Sequence, residues 1–214
     1  MADSENSRTV PAIIHRNLLP VAEQVLLGLA ADQEAAGGGD IDAALATWND
    51  WIAALREFAR LCLVQQRLET QVLSLVSSPF VEIHLPSRAK PLIATTEEEI
   101  ECWLAGDAFA DERERAKRDL AERRENWDAV DEFVGYSGAK TAETISFDHE
   151  SRLVAELWEM SAHTLPAVAG KLHSIIMHGA PKLDTDDFPW PQVRSVLIDL
   201  LGMCQPSATR AVGP

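Results

Sequence analysis

Between Asp111 and Glu125 the chain reads DERERAKRDLAERRE, in which only Ala116, Leu120 and Ala121 lack a charge. Six acids and six bases cancel there, inside a chain whose net charge is −15. Acid precedes base at i,i+4 in Asp111–Arg115, Glu114–Arg118 and Asp119–Arg123, the order that supports a helix. An apolar seam runs through the segment at heptad steps: Phe109, Ala116, Leu120, Trp127, Val130 and Val134. Arg113 and Arg123 take the remaining seam positions and are expected to set register against acids of a facing helix. The pattern predicts a long, largely solvated helix with one buried stripe.

A second long helix is predicted after Asp40, its expected N-cap, running to about Val76. Its seam is Ile41, Leu45, Trp48, Ile52, Leu55, Ala59 and Cys62, shifting to Leu61, Leu68, Val72 and Leu75, in steps of three and four. At 1.5 Å per residue it would be about 55 Å long. Before it, Pro11 opens a short helix that Pro20 interrupts, and a further helix from Pro20 ends at Gly37-Gly38-Gly39. After it, Phe80 to Thr95 has two prolines and no helical period, and Val81, Ile83 and Leu85 alternate with polar neighbours without an obvious partner strand. Thr96 and Glu99 form a capping-box pattern. Gly135-Tyr-Ser137-Gly138 reads as an interhelical turn and not as a nucleophile elbow, because its second glycine comes one place early.

Three more helices follow. The first covers roughly 147–163. The next is capped by Thr164 and has Leu165, Val168, Ala169, Leu172, Ile175 and Ile176 as its apolar face. The last places Val193, Val196, Leu197, Leu200 and Leu201 towards the core, with Asp187 as its expected cap. Abundant Ala and Leu, a single Tyr and few β-branched runs agree with this helical bias. The expected fold is therefore all-α. A long antiparallel, coiled-coil-like hairpin of arms 41–77 and 97–134 packs with shorter N- and C-terminal helices (147–203) in one domain, 10–204. A disordered start (1–9) and a flexible tail (205–214) flank it. A break at Gly106 would give a compact bundle instead.

Acidity without a basic cluster weighs against direct nucleic-acid binding. No apolar run approaches the roughly 18 to 20 residues that span a bilayer, and the polar, acidic start lacks the features of a secretory signal. Cys62, Cys102 and Cys204 are far apart and odd in number, which reads as reduced, semi-buried thiols in a cytoplasmic protein. Glu156, Glu159 and His163, at i, i+3 and i+7, would share a helix face and are the candidate metal ligands. No catalytic residue and no cofactor are expected. His178 lies where it would favour the carbonyls ending its helix. The six tryptophans mostly occupy apolar positions and read as core anchors before ligand platforms.

Residues Leu157 to Leu201, with Thr164-Leu165-Pro166-Ala, Gly170-Lys171-Leu172 and Asp186-Asp187-Phe-x-Trp190, resemble the tail of an uncharacterised α-proteobacterial family of helical proteins. Pro166 departs from that family's pattern. Its members look like accessory or mobile-element products, and the resemblance implies no activity. The functional expectation is a non-enzymatic module that binds a partner protein, or itself as a dimer, through helical surfaces. An acidic inhibitor of a nucleic-acid-binding partner is a special case. The expected contact residues are Phe80, Ile83, Leu85 and Leu92 of the connector, whose alternative role is to plug the hairpin base. A metal-binding bundle or metal-dependent enzyme on Glu156, Glu159 and His163 is the alternative.

Overall fold

A computed structural model describes residues 9–35, 42–85, 87–182 and 184–204, with side chains from Leu18 to Asp32 in the first segment. The expectations for the start before Thr9, the Gly37–Gly39 stop, the Asp40 cap, Ile41 and the tail from 205 lie outside the described residues. The described chain is all-α apart from one small ribbon: α1 (Thr9–Ala35), α2 (Ala43–Leu75), β1 (Val81–Ile83), β2 (Leu92–Ala94), α3 (Glu97–Trp103), α4 (Ala110–Val134), α5 (Tyr136–Glu159), α6 (Leu165–Gly179) and α7 (Trp190–Cys204). No helix among the described residues is long and apolar enough to cross a membrane. The 10–204 span divides into two compact units, one made of residues up to Arg56 and from Phe147 onward, the other Glu57–Ser146.

In the Glu57–Ser146 unit the second arm is two helices. Thr96 and Glu99 form the capping box that starts α3. Gly106, at φ 103°, then turns the chain into a short 3-10 turn, Asp107–Phe109, before α4. That φ is one that residues with a Cβ avoid, so the glycine ends the first helix of the arm, at the position where the sequence left a break open. Arg113 stands near Glu101 of α3, whose carboxyl is held below its ordinary range first by Lys117 and to a lesser degree by the Arg113 charge. The Arg113 Nη1 donates to Leu104 O at 2.9 Å, capping the last carbonyls before the break. Arg123 lies 6.0 Å from the Phe80 ring centroid. Lys117 joins α4 to α3 through Glu101 at 2.6 Å. Gly135 ends α4 with φ 82°, and α5 starts at the next residue, so Ser137 lies in a helix's first turn.

The connector has a partner strand after all. Val81 pairs with Ala94, Glu82 with Ile93 and Ile83 with Leu92, antiparallel. The strand that β1 needs lies beyond the prolines in the same segment, where three residues are too few to show alternation. Val81 and Ile83 point into a core with Ala94, Ile100, Leu104 and Leu120, and Leu85 and Leu92 pack against it. Ile83 is therefore core, Leu85 and Leu92 are half-buried, and Phe80 is half-buried beside Arg123.

In the other unit, α1 is one helix that carries Pro20 within it, not two helices. A proline removes one backbone hydrogen bond yet keeps a helical φ. Burial of Leu18, Leu19, Ala22 and Leu26 on both sides of it holds the helix together. These residues meet Leu45, Trp48, Trp51 and Ile52 of α2, Val154 and Leu157 of α5, Ile176 of α6, and Leu197 and Leu201 of α7.

The buried face of α6 matches the expected one at Ala169 and Ile176, with Leu172 packed against the core, and differs elsewhere. Ala167, Ala169, Gly170, His173, Ser174 and Ile176 are inside, while Leu165, Val168 and Ile175 are exposed. The cause is Trp48. A Cβ at Gly170 would fall 2.9 Å from its Cγ, so the indole takes the space that larger side chains would need. Val196 of α7 is likewise exposed, with Arg194 buried instead. Asp187 does not cap α7 with its side chain; its carboxylate accepts from Thr185 Oγ1 at 3.1 Å.

Candidate functional site

Around the joined ends of α2, α5 and α6, three tryptophans, two histidines and a glutamate form one polar-aromatic cluster. Glu150 is 2 % exposed. It occupies a core position because it stands four residues before Val154 and seven before Leu157, on the face of α5 that is buried. A buried carboxylate is costly unless donors meet it. Trp51 Nε1–H donates to Glu150 Oε1 at 2.5 Å, and His178 Nε2 bonds the same oxygen at 2.8 Å. The His178 ring lies between two indoles, its centroid 5.8 Å from Trp51 and 5.6 Å from Trp158, the latter edge-on. Trp158 is itself fixed, since its Nε1–H donates to Ser174 Oγ at 2.9 Å and Ser174 donates on to Lys171 O. Lys171 Nζ closes the arrangement by donating to Trp158 O and Met160 O, the carbonyls ending α5.

One layer deeper, His173 is fully buried. Trp48 Nε1–H donates to its Nδ1 at 3.4 Å, so Nε2 carries the proton that faces Leu19 O at 3.3 Å. The neutral Nε2–H tautomer satisfies both contacts. Burial holds the ring's pKa below its ordinary 6.5, outweighing the Leu19 carbonyl and the charge of Glu23. In acid the unfolded chain protonates this histidine near its ordinary value while the folded chain resists, so the stability is complete above 6.5 and is lost as the pH falls below it. Denaturant midpoints should therefore drop between pH 7.5 and 5.5, and His173→Gln, which keeps an acceptor and a donor without a titrating ring, should flatten that drop. An unchanged pH slope in the variant would show that His173 is not responsible.

At the far end of the same layer, Asp42 is buried and ties two distant segments together. Its Oδ1 accepts from Ala44 N at 3.0 Å, capping α2 in the role expected of Asp40. Its Oδ2 accepts from His163 N, Thr164 N and Thr164 Oγ1 at 2.7, 2.8 and 3.1 Å. Burial raises the carboxyl's pKa, but these four donors together carry it below its ordinary value.

At the surface of the cluster, Trp158, Ile175, His178 and Gly179 line an open depression of about 440 Å³. The His178 side chain is 32 % exposed there, with the buried Glu150 behind it. A carboxylate that fixes an imidazole is the orienting half of an acid–base relay. Among the described residues, however, His178 bonds no hydroxyl or thiol that would serve as a nucleophile. The pair is chemically a pre-oriented polar contact in an apolar wall.

The residues proposed as metal ligands are not brought together. Helix α5 ends at Glu159, so His163 lies in the following loop and shares no helix face with Glu156 and Glu159, and all three are exposed. No group of three His, Cys, Asp or Glu among the described residues is placed to hold a metal ion. His178 turns to Glu150 and not to the carbonyls of its helix end. Sequence reasoning missed Glu150 and Asp42, and took Trp51 only as a core anchor. For Glu150 the available signal was its spacing from Val154 and Leu157; Asp42 carried none, because its partners are 121 and 122 residues away.

No protein-family model matches the chain, and neither does any curated protein or solved structure.

Proposed function

We propose that this chain is a protein-binding helical module that seats an amphipathic partner helix on the outer face of α6. The observation that carries this is a stripe of large apolar side chains left in water. Leu165, Val168 and Ile175 are exposed at helical spacing along α6, and Trp158 and Ile175, each 41 % exposed, flank the depression at its end. Residues three, four and seven apart are the spacing by which one helix packs into the groove of another. Tryptophan beside a pocket is the residue type that most often anchors such contacts. The net charge of −15 favours a partner with basic residues beside its apolar face.

Val168→Glu with Ile175→Glu tests the reading. Both side chains are exposed, so the fold should be kept within about 0.5 kcal/mol. Affinity capture should then recover a partner with the unaltered protein and lose it with the double variant, at least tenfold by roughly the worth of two anchors. Sedimentation of the purified protein separates a foreign partner from a second copy of this chain. A monomer whose captured proteins are the same with and without the two substitutions would defeat the proposal.

A further inference from the structure

We infer that the depression bounded by Trp158, Ile175, His178 and Gly179 binds a phenol-type ring, a flat apolar ligand that gives one O–H to His178. The inference does not rest on the partner-helix reading, since a free phenol needs no second protein. At about 440 Å³ the depression lies within the range of small-ligand sites. Its walls are apolar but for one group, the His178 imidazole, so it selects a single polar contact. Trp51 Nε1–H and His178 Nε2 converge on one oxygen of Glu150, which therefore acts as acceptor and draws the imidazole proton to Nε2. The ring is left with Nδ1 and its lone pair, and Nδ1 has no hydrogen-bond partner among the described residues. An acceptor of this kind takes an O–H.

The ring of the ligand follows from the walls. Trp158 gives a π surface that rewards an aromatic over an aliphatic alcohol. Gly179 gives its bare backbone to the wall, and a Cβ there would fall 2.6 Å from the Trp190 indole, so no side chain can stand at this position without displacing Trp190. An anion is disfavoured because Glu150 stands behind the imidazole and the chain is acidic overall. The walls are also ordered in advance: Trp158 by Ser174, Ser174 by Lys171 O, and His178 by Glu150. Little ordering cost then falls on binding.

The test is a titration of the full chain with p-cresol, 4-methylanisole and 4-methylbenzoate, followed by tryptophan fluorescence and by amide shifts of Ile175 and Gly179. Saturable p-cresol binding, with 4-methylanisole weaker by about tenfold for the lost hydrogen bond, is expected. In His178→Phe the two should bind alike. Absence of p-cresol binding, equal affinity for p-cresol and the ether in the unaltered protein, or tighter binding of the benzoate would each overturn the inference. The comparison of ligands on the unaltered protein decides the matter even where the His178 variant fails to fold. N-acetyltyrosinamide distinguishes the source of the ring: binding as tight as p-cresol assigns a tyrosine side chain, and exclusion assigns a free phenol. The titration involves no partner and the double-glutamate capture involves no ligand, so one failing leaves the other standing.

Discussion

Replacing Asp42 with asparagine is expected to cost about 3 kcal/mol, nearly as much as replacing it with alanine, the sum of a lost helix cap and lost charge-assisted hydrogen bonds. Both oxygens of Asp42 accept, Oδ1 from Ala44 and Oδ2 from His163 and Thr164. An asparagine presents an amide N–H₂ on one side, where it would face N–H groups whichever way it is turned. A conservative change therefore behaves as a severe one. Urea denaturation followed by circular dichroism reads the loss. An asparagine variant within about 1 kcal/mol of the unaltered protein, the worth of one ordinary hydrogen bond, would mean that the loop at 163–164 is held by other contacts.

Glu150 should show the opposite pattern. Glu150→Ala leaves the fully buried Trp51 N–H without an acceptor and opens a void in the core, at an expected cost of about 3 to 4 kcal/mol. Glu150→Gln keeps an oxygen that accepts from both Trp51 and His178, so it should cost about 1 kcal/mol, the margin by which hydrogen bonds to a charged acceptor exceed those to a neutral one. The same denaturation measurement decides. Equal losses for glutamine and alanine would show that the negative charge, and not acceptance of the two N–H groups, holds the cluster. Quenching by an added aqueous quencher should reach Trp51 in the alanine variant only, because its indole is otherwise sealed.

The contrast between these two carboxylates shows why the site was hard to read from the chain alone. Neither sits in a recognisable motif. Glu150 follows Asp148 and His149, which makes it look like part of a charged surface, and only its distance from Val154 and Leu157 betrays the buried face. Glu156 and Glu159 looked more like a site, being spaced as neighbours on a helix with His163. The helix stops at Glu159, and Asp42 holds the backbone of the next turn in place, so that pattern never forms. A helical spacing is informative only as far as the helix extends, and the end here is set by a residue 121 positions away.

What the chain determined alone is what short-range physics controls. The all-α class follows from composition and periodicity, the α3 start from the capping box at Thr96 and Glu99, the α6 start from Thr164 and Pro166, and the end of α4 from Gly135. Each is a contest between neighbouring backbone groups and side chains, settled within a turn or two. The tertiary structure decided the rest. It kept α1 whole through Pro20, paired β1 with β2, and settled the break at Gly106 that the sequence had left open. It also turned α6 so that Gly170, His173 and Ser174 face inward and Leu165, Val168 and Ile175 face water. Hydrophobicity alone would have turned Leu165, Val168 and Ile175 inward together with Ala169 and Ile176. The bulk of Trp48 against Gly170, and the donors gathered on Glu150, set the rotation of α6, because a packed core accepts the face whose shape and hydrogen bonds fit and not simply the face that is most apolar.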